Sequence, residues 1–305
     1  MMKYIDTHSH LGFEDYGPDF KTVIERMKEA QVGTIAVGAD LASSIEAVKV
    51  ATENKNVWAC IGQHPTHNQN NLDQGGTLAE VNHGSLGPVP YSLGEVGFDE
   101  LEFEKLVNNP KVVAVGECGL DYFFRDEKII SDKSKVESLK QKQKEDFIKQ
   151  IKFALKYNKA LMLHIRDTDK KYQGEPSILS AFEDAYKILC DIKREQGLTS
   201  FRGNVHFFTG KLDMAKKFIE LGFTISFVGL ITYVHDFDKI IKGVPLTSLQ
   251  AETDAPYVAP VPHRGERNEP SYVIEVYKKI AEIRGEDPEM VRLQLLENAK
   301  RVFGL

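Results

Sequence analysis

Cysteine is scarce in this chain: Cys60, Cys118 and Cys190 are the only three in 305 residues, and no two stand in C-x-x-C spacing. That excludes a disulfide framework and a cysteine-built zinc site, and it fits reduced thiols in a reducing compartment. Long apolar runs are also missing. No stretch approaches the roughly 20 residues that cross a bilayer, so no membrane association is expected. The opening residues MMKYIDTHSHLG carry no basic segment followed by an apolar one and a cleavage site, which gives no sign of secretion. The expected location is the cytoplasm, and the nucleus as well if the cell is eukaryotic. A basic excess is lacking too, since 39 Lys and Arg stand against 45 Asp and Glu for a net charge of −6. A broad cationic face that coats duplex DNA is therefore excluded, whereas a local phosphate site is not.

What the sequence does have is alternation. The apolar and charged fractions, 42% and 28%, are those of an ordinary globular protein. Eight β-rich runs follow one another: YIDTHSH, TIAVGA, VWACIGQH, VVAVGECG, ALMLHIRD, GNVHFF, FTISFVG and SLQAETDA. Helix-like stretches separate most of them, at 19–31, 41–54, 98–108, 137–157, 177–196, 212–221, 236–242 and 271–284. Such repetition predicts an α/β fold of the (β/α)8 TIM-like barrel class, with a doubly wound open sheet as the alternative. The length suits one barrel domain over 1–305. A last helix is expected from Pro288 to Val302, capped by Asp287 and packed on the barrel's outside or base through Val291, Leu295, Ala299 and Val302. Residues 66–97, rich in Asn, Gln, Gly, Pro and Ser, read as a loop insertion.

In a strand covered on both faces, polar residues need a reason. His8 and His10 stand two apart and so share one face of the first strand. By the same alternation Val113, Val115 and Glu117 go together, as do Met162, His164 and Arg166, Asn204 and His206, and Glu252 and Asp254, while His64 ends the third strand. All these polar residues come at or near the C-terminal ends of their strands, where barrel active sites are assembled. Any single one could be a satisfied core residue. Six or seven such accidents at one mouth are harder to sustain, because buried charge is costly unless paired or bound to metal. His8, His10, Glu117, His164, His206 and Asp254 supply four imidazoles and two carboxylates, too many for one tetrahedral zinc. They suit two divalent ions about 4 Å apart, with Glu117 the natural bridge. Mg, Mn and Zn all remain open as the ion.

The stretches IDTHSHL, GQHP, VAVGECGLDYFFRD, LMLHIRD, HFFTG, ETDAPY and PHRGERNEP resemble, in order, those of the TatD family of metal-dependent deoxyribonucleases. The resemblance spans residues 5–270. It implies a dinuclear centre that hydrolyses phosphodiesters, typically as a 3′-to-5′ exonuclease on single-stranded DNA. It also implies that His8 and His10 serve one metal and His164 and His206 the other, with Glu117 bridging and Asp254 as ligand and general base. His64 would face the substrate, and Arg166, Arg264 and Arg267 would contact its phosphates. Asp121 and Tyr122 are read as structural, and Asp6, deeper in the first strand, as a partner that orients a ligand histidine. Three departures from the family pattern stand out: Phe207 where cysteine is common, Glu266 in a stretch that often holds lysine, and a long interval from His64 to Glu117.

The expected partner is a nucleic-acid end, DNA or RNA, bound by a monomer. Two other readings remain. A barrel with this centre could hydrolyse an amide or ester, such as an aminoacyl-tRNA, since the same activated water serves both. Many such enzymes bridge their metals with a carbamylated lysine where this chain has Glu117. A catalytically idle binding scaffold is the third reading, and the complete donor set argues against it.

Overall fold

The computed structural model describes residues 2–12, 14–66, 97–124, 130–168 and 180–305. Apart from Thr66 and Gly97, the insertion expected at 66–97 lies outside the described residues. Eight strands run in chain order: β1 (Tyr4–Ser9), β2 (Val32–Val37), β3 (Val57–Ile61), β4 (Val112–Asp121), β5 (Ala160–Arg166), β6 (Gly203–Val205), β7 (Phe223–Phe227) and β8 (Leu249–Ala251). They pair in parallel in that same order. The ring closes where Ser9 bridges Ala255, with His10 N–H donating to the Ala255 carbonyl at 2.7 Å and Asp254 N–H to the His8 carbonyl at 3.0 Å. The fold is therefore the (β/α)8 barrel; an open doubly wound sheet would reverse its strand order partway.

Helices α1 (Phe20–Glu29), α2 (Leu41–Glu53), α3 (Glu100–Val107), α4 (Lys133–Lys156), α5 (Ala181–Glu195), α6 (Leu212–Glu220), α7 (Asp238–Gly243) and α8 (Val273–Arg284) lie between or after the strands. Several start on the caps their sequences encode. Asp40 and Ser43 form a reciprocal capping box at α2, and Asp99, Asp132 and Ser180 cap α3, α4 and α5, each satisfying N–H groups that the helix leaves open. The last helix, α9 (Pro288–Phe303), is capped by Asp287, which accepts the Met290 N–H at 2.8 Å.

Two of the three apolar clusters show the barrel geometry. The larger lies between the strands' outer faces and the helices, and includes Val23, Val48, Val115, Leu161, Leu163, Val205, Phe218 and Ile225. The smaller fills the barrel's floor with Ile35, Val37, Cys60, Ala114 and Met162, closed by Val302 and Phe303 of α9. The last helix thus closes the base with its C-terminal end, while its Val291 and Leu295 join the outer core. On the β6–β8 side the interior is polar instead: Asn204 accepts from Thr224 at 2.9 Å and donates to Ser226 at 2.7 Å.

The strand register shifts at three places, one between Ala59 and Cys60 of β3 against β4 and two next to the mouth. In β4 the pairing with β5 shifts between Val115 and Cys118, so that two residues, Gly116 and Glu117, face the single Met162. Val115 joins the outer core and Ala114 the inner one, so Glu117 reaches the interior by a bulge and not by sharing a face with Val115. In β1 a similar shift between Asp6 and Ser9 separates Asp6 from His8. Bulges at barrel rims re-aim side chains in this way. Among the strands that end sooner than expected are β3 at Ile61, β6 at Val205 and β8 at Ala251. His64, His206, Glu252 and Asp254 are accordingly held just beyond the ladder, on the first residues of the following loops.

Candidate metal centre

Six side chains from β1, β4, β5 and the ends of β6 and β8 meet at the mouth, every one of them buried. Glu117 is at the centre. Its Oε1 lies 2.8 Å from His164 Nδ1, 3.2 Å from His206 Nε2 and 3.6 Å from His64 Nε2. Its Oε2 lies 3.6 Å from His8 Nε2 and 3.8 Å from His10 Nε2. Asp254 Oδ1 is 3.5 Å from the same two histidine nitrogens. The ring of His8 stacks on that of His206 with centroids 3.7 Å apart. The six residues expected from the sequence as metal ligands therefore converge on one point, and His64 joins them.

The donor atoms fall into overlapping groups with all their atoms within 4.8 Å: His8, His10 and Glu117; His8, His206 and Asp254; Glu117, His164 and His206; and His64, Asp121 and His164. The arrangement fits divalent cations. His8 Nε2 and His10 Nε2 face each other at 3.4 Å, a pair in which at most one neutral ring can donate. Asp254 Oδ2 is buried without a hydrogen-bond partner among the described residues. Converging lone pairs with so few protons to share are what a cation would satisfy.

The surroundings show how the ligands are held. His10 Nδ1 reaches the Val37 carbonyl at 3.1 Å, whereas His8 Nδ1 is buried with no partner among the described residues. His206 Nδ1 lies 3.0 Å from Glu252 Oε1, which also accepts the Phe207 N–H at 2.7 Å. His164 Nε2 lies 3.0 Å from Asp121 Oδ2. Asp121 therefore faces the site, contrary to its reading as structural. Tyr122 fits that reading, buried with its hydroxyl donating to Asp184 at 2.8 Å. Asp6 does not touch an imidazole. Its carboxylate accepts the backbone N–H groups of His8 at 3.3 Å and Thr253 at 2.8 Å and the Thr253 hydroxyl at 2.7 Å, so it fastens β1 to the loop after β8. Two glutamines of α4 act similarly. Gln150 clamps both backbone groups of Gln63, beside His64, at 2.8 and 2.9 Å, and Gln143 clamps those of Asp121 at the same distances.

Charge in this cluster is mutually arranged. Burial opposes ionisation of Glu117, yet the imidazoles of His64, His206, His8 and His164 outweigh it and hold the carboxyl well below the usual range. Burial also lowers His206 and His164, and here the carboxylates win: Glu252 and Glu117 push His206 well up, and Asp121 and Glu117 raise His164. His8 goes the other way, lowered well below its ordinary value by burial and by the neighbouring His206. Burial lowers His10 beside it too, but Asp254 and Glu117 outweigh that and raise it.

The expected phosphate contacts divide. Arg166, at the end of β5, lies at the rim with its guanidinium 4.0 Å from the centre of the Phe123 ring. Arg264 is exposed and rests 4.4 Å from the Tyr233 ring centre. Arg267 is engaged elsewhere: it pairs with Asp19, donates to the Asp15 carbonyl at 2.9 Å and covers the Tyr16 ring. Its guanidinium ties the loop after β8 to the segment before α1, which takes it out of the set that could hold a phosphate. Gln143 and Gln150 carry no signal in the sequence, whereas Glu252 is marked there by its alternation with Asp254 but has no role assigned.

The sequence profile described as TatD related DNase matches residues 5–304. The chain belongs to the TatD family. It is 33% identical over 301 residues to the metal-dependent hydrolase YabD of Bacillus subtilis (strain 168), covering 98% of each chain. To the metal-dependent hydrolase YcfH of Escherichia coli (strain K12) it is 30% identical over 308 residues, covering 99% of this chain and 96% of that one. Among solved structures, the TatD homologue YjjV of Escherichia coli K12 matches with a TM-score of 0.73 at 24% identity, over 99% of this chain and 98% of that one. A hydrolase of the TatD family from Entamoeba histolytica matches with a TM-score of 0.69 at 21% identity, over 99% and 98%. Both structural likenesses speak for the TatD-family fold. Among the described residues of this TatD-family chain, no helix is long and apolar enough to cross a membrane.

Proposed function

We propose that this TatD-family protein is a metal-dependent hydrolase of phosphodiesters that removes nucleotides from the 3′ end of single-stranded DNA. Full-length similarity to relatives named as metal-dependent hydrolases supports the coarser part of the reading, and the family's description as DNase supports the finer part. The observation that carries it is the convergence of His8, His10, Glu117, His164, His206 and Asp254 on one buried point at the barrel's C-terminal mouth. In this reading His8, His10 and Asp254 would hold one divalent ion and His164 and His206 the other, with Glu117 shared between them. The histidine-rich set favours zinc or manganese over magnesium. When bound, such a pair of ions supplies Lewis acidity and lowers the pKa of bound water toward about 7.

The chain's own groups then have distinct tasks. Asp254 takes the proton of the attacking water through a carboxylate whose Oδ2 has no hydrogen-bond partner among the described residues. His64, its Nδ1 2.7 Å from Thr66 Oγ1, turns Nε2 toward the centre and serves the substrate's phosphate or leaving oxygen. Arg166 at the rim stabilises negative charge that builds on the non-bridging oxygens, a task that needs no covalent intermediate. A strand end requires a pocket and not a long basic groove, which accords with a net charge of −6.

The test is a substrate panel run with the metal-loaded protein: single-stranded DNA labelled at either end, RNA, a phosphomonoester and an aminoacyl-tRNA. Stepwise shortening of 5′-labelled single-stranded DNA is the expected result. Deacylation of the tRNA without DNA cleavage would replace the reading with the ester-hydrolase one. Inactivity on the whole panel, unchanged by Asp254→Asn, would favour a binding scaffold.

A further inference from the structure

The two halves of the mouth are backed differently. Behind His164 and His206 stand two buried carboxylates: Asp121 Oδ2 at 3.0 Å from His164 Nε2, and Glu252 Oε1 at 3.0 Å from His206 Nδ1. Each histidine thereby sets one ring nitrogen against a carboxylate and turns its other nitrogen, His164 Nδ1 or His206 Nε2, toward Glu117 at 2.8 or 3.2 Å. On the other side His10 Nδ1 meets the neutral Val37 carbonyl at 3.1 Å, and His8 Nδ1 has no hydrogen-bond partner among the described residues. A carboxylate behind a ligand histidine fixes its tautomer and raises its basicity, and its loss typically weakens metal binding 10- to 100-fold.

We propose that Asp121 and Glu252 are positioning residues that make the His164/His206 half-site the tighter of two unequal metal positions, filled first. The inference rests on the dinuclear reading above. Asp254 adds a carboxylate to the His8/His10 half-site, but two stand behind the other. Both positioning carboxylates are also locked by the backbone: Asp121 Oδ1 accepts the Phe123 N–H at 2.9 Å and Glu252 Oε1 accepts the Phe207 N–H at 2.7 Å. At Asp121 the two contacts use different oxygens, so an asparagine can keep Oδ1 for Phe123 and turn a donor toward His164, favouring the wrong tautomer. At Glu252 one oxygen, Oε1, meets both the Phe207 N–H and His206, so a glutamine keeps both contacts and removes only the charge.

The experiment is calorimetric titration of the chelator-stripped full chain with cobalt(II), alongside the cobalt absorption spectrum, for wild type, Asp121→Asn, Glu252→Gln and Asp254→Asn. Wild type is expected to bind in two resolved steps. Asp121→Asn and Glu252→Gln each weaken the first step by about 10- to 100-fold and shift its spectrum, with the second step moved far less. Asp254→Asn weakens the second step. An unchanged first step in a folded Asp121→Asn or Glu252→Gln protein overturns the role of that residue, and a first step lost to Asp254→Asn overturns the order of filling. Thermal melts of the stripped variants identify any that fail to fold, in which case the other carboxylate variant decides. A wild type that binds no cobalt defeats the dinuclear reading itself, an outcome distinct from either of these.

Discussion

The floor and the mouth of this barrel are built from the same strands and obey opposite rules. At the floor, Ile35, Val37, Cys60, Ala114 and Met162 pack on Val302 and Phe303 of α9. A few residues further along, β1, β4 and β5 present His8, Glu117 and His164, and the loops after β1, β3, β6 and β8 present His10, His64, His206 and Asp254. The floor contributes stability by removing apolar surface from water. The mouth spends some of that stability by burying titratable groups close together. The comparison teaches that in this fold the two tasks are separated along the strand axis, so that side chains at one end can be changed with little consequence at the other.

The sharpest way to break that separation is at Asp254. Asp254→Asn is expected to lower the rate of single-stranded DNA hydrolysis by about 100- to 10,000-fold, measured under single turnover, while the thermal unfolding midpoint of the stripped protein falls little. Phe303→Ala is the opposite case. Its side chain is 2% exposed on the floor, and its truncation is expected to cost about 3–5 kcal/mol in denaturant unfolding with the rate per folded molecule unchanged. An equal loss of both properties in either variant would mean that the two ends are coupled.

Gln150→Ala sits between the extremes, since Gln150 belongs to a helix yet holds the backbone next to His64. It is expected to cost about 1–3 kcal/mol, because two buried backbone groups lose their partner, and to lower the hydrolysis rate as well through a misplaced His64. Normal kinetics in that variant would reduce the clamp to a stabilising contact. Asp287→Ala, at the cap of α9, should cost about 1 kcal/mol in the same unfolding assay and leave the mouth alone.

Much of this was legible in the sequence, and the parts that were not share physical causes. The eight alternations gave the barrel, and polar residues at strand ends gave the six converging side chains. Alternation went astray at Asp6 and Val115 because bulges change the phase of a strand, and GECGLDY offers two glycines, Gly116 and Gly119, either of which could mark the extra residue. Asp121 and Glu252 were harder to place for another reason: a carboxylate that binds a cation and one that stands behind a histidine look alike in sequence. Arg267 resembled a phosphate contact until its partner Asp19 was in view, 248 residues earlier in the chain. No local pattern reports a pairing of that range.

The central claim is that the six-residue cluster at the mouth is a two-metal centre on which hydrolysis depends. The most direct test follows bound metal and cleavage of single-stranded DNA together as a chelator-stripped sample is refilled. The account predicts no cleavage in the stripped protein and a return of activity that tracks occupancy up to two ions per chain. Full nuclease activity in a sample free of bound metal would contradict it.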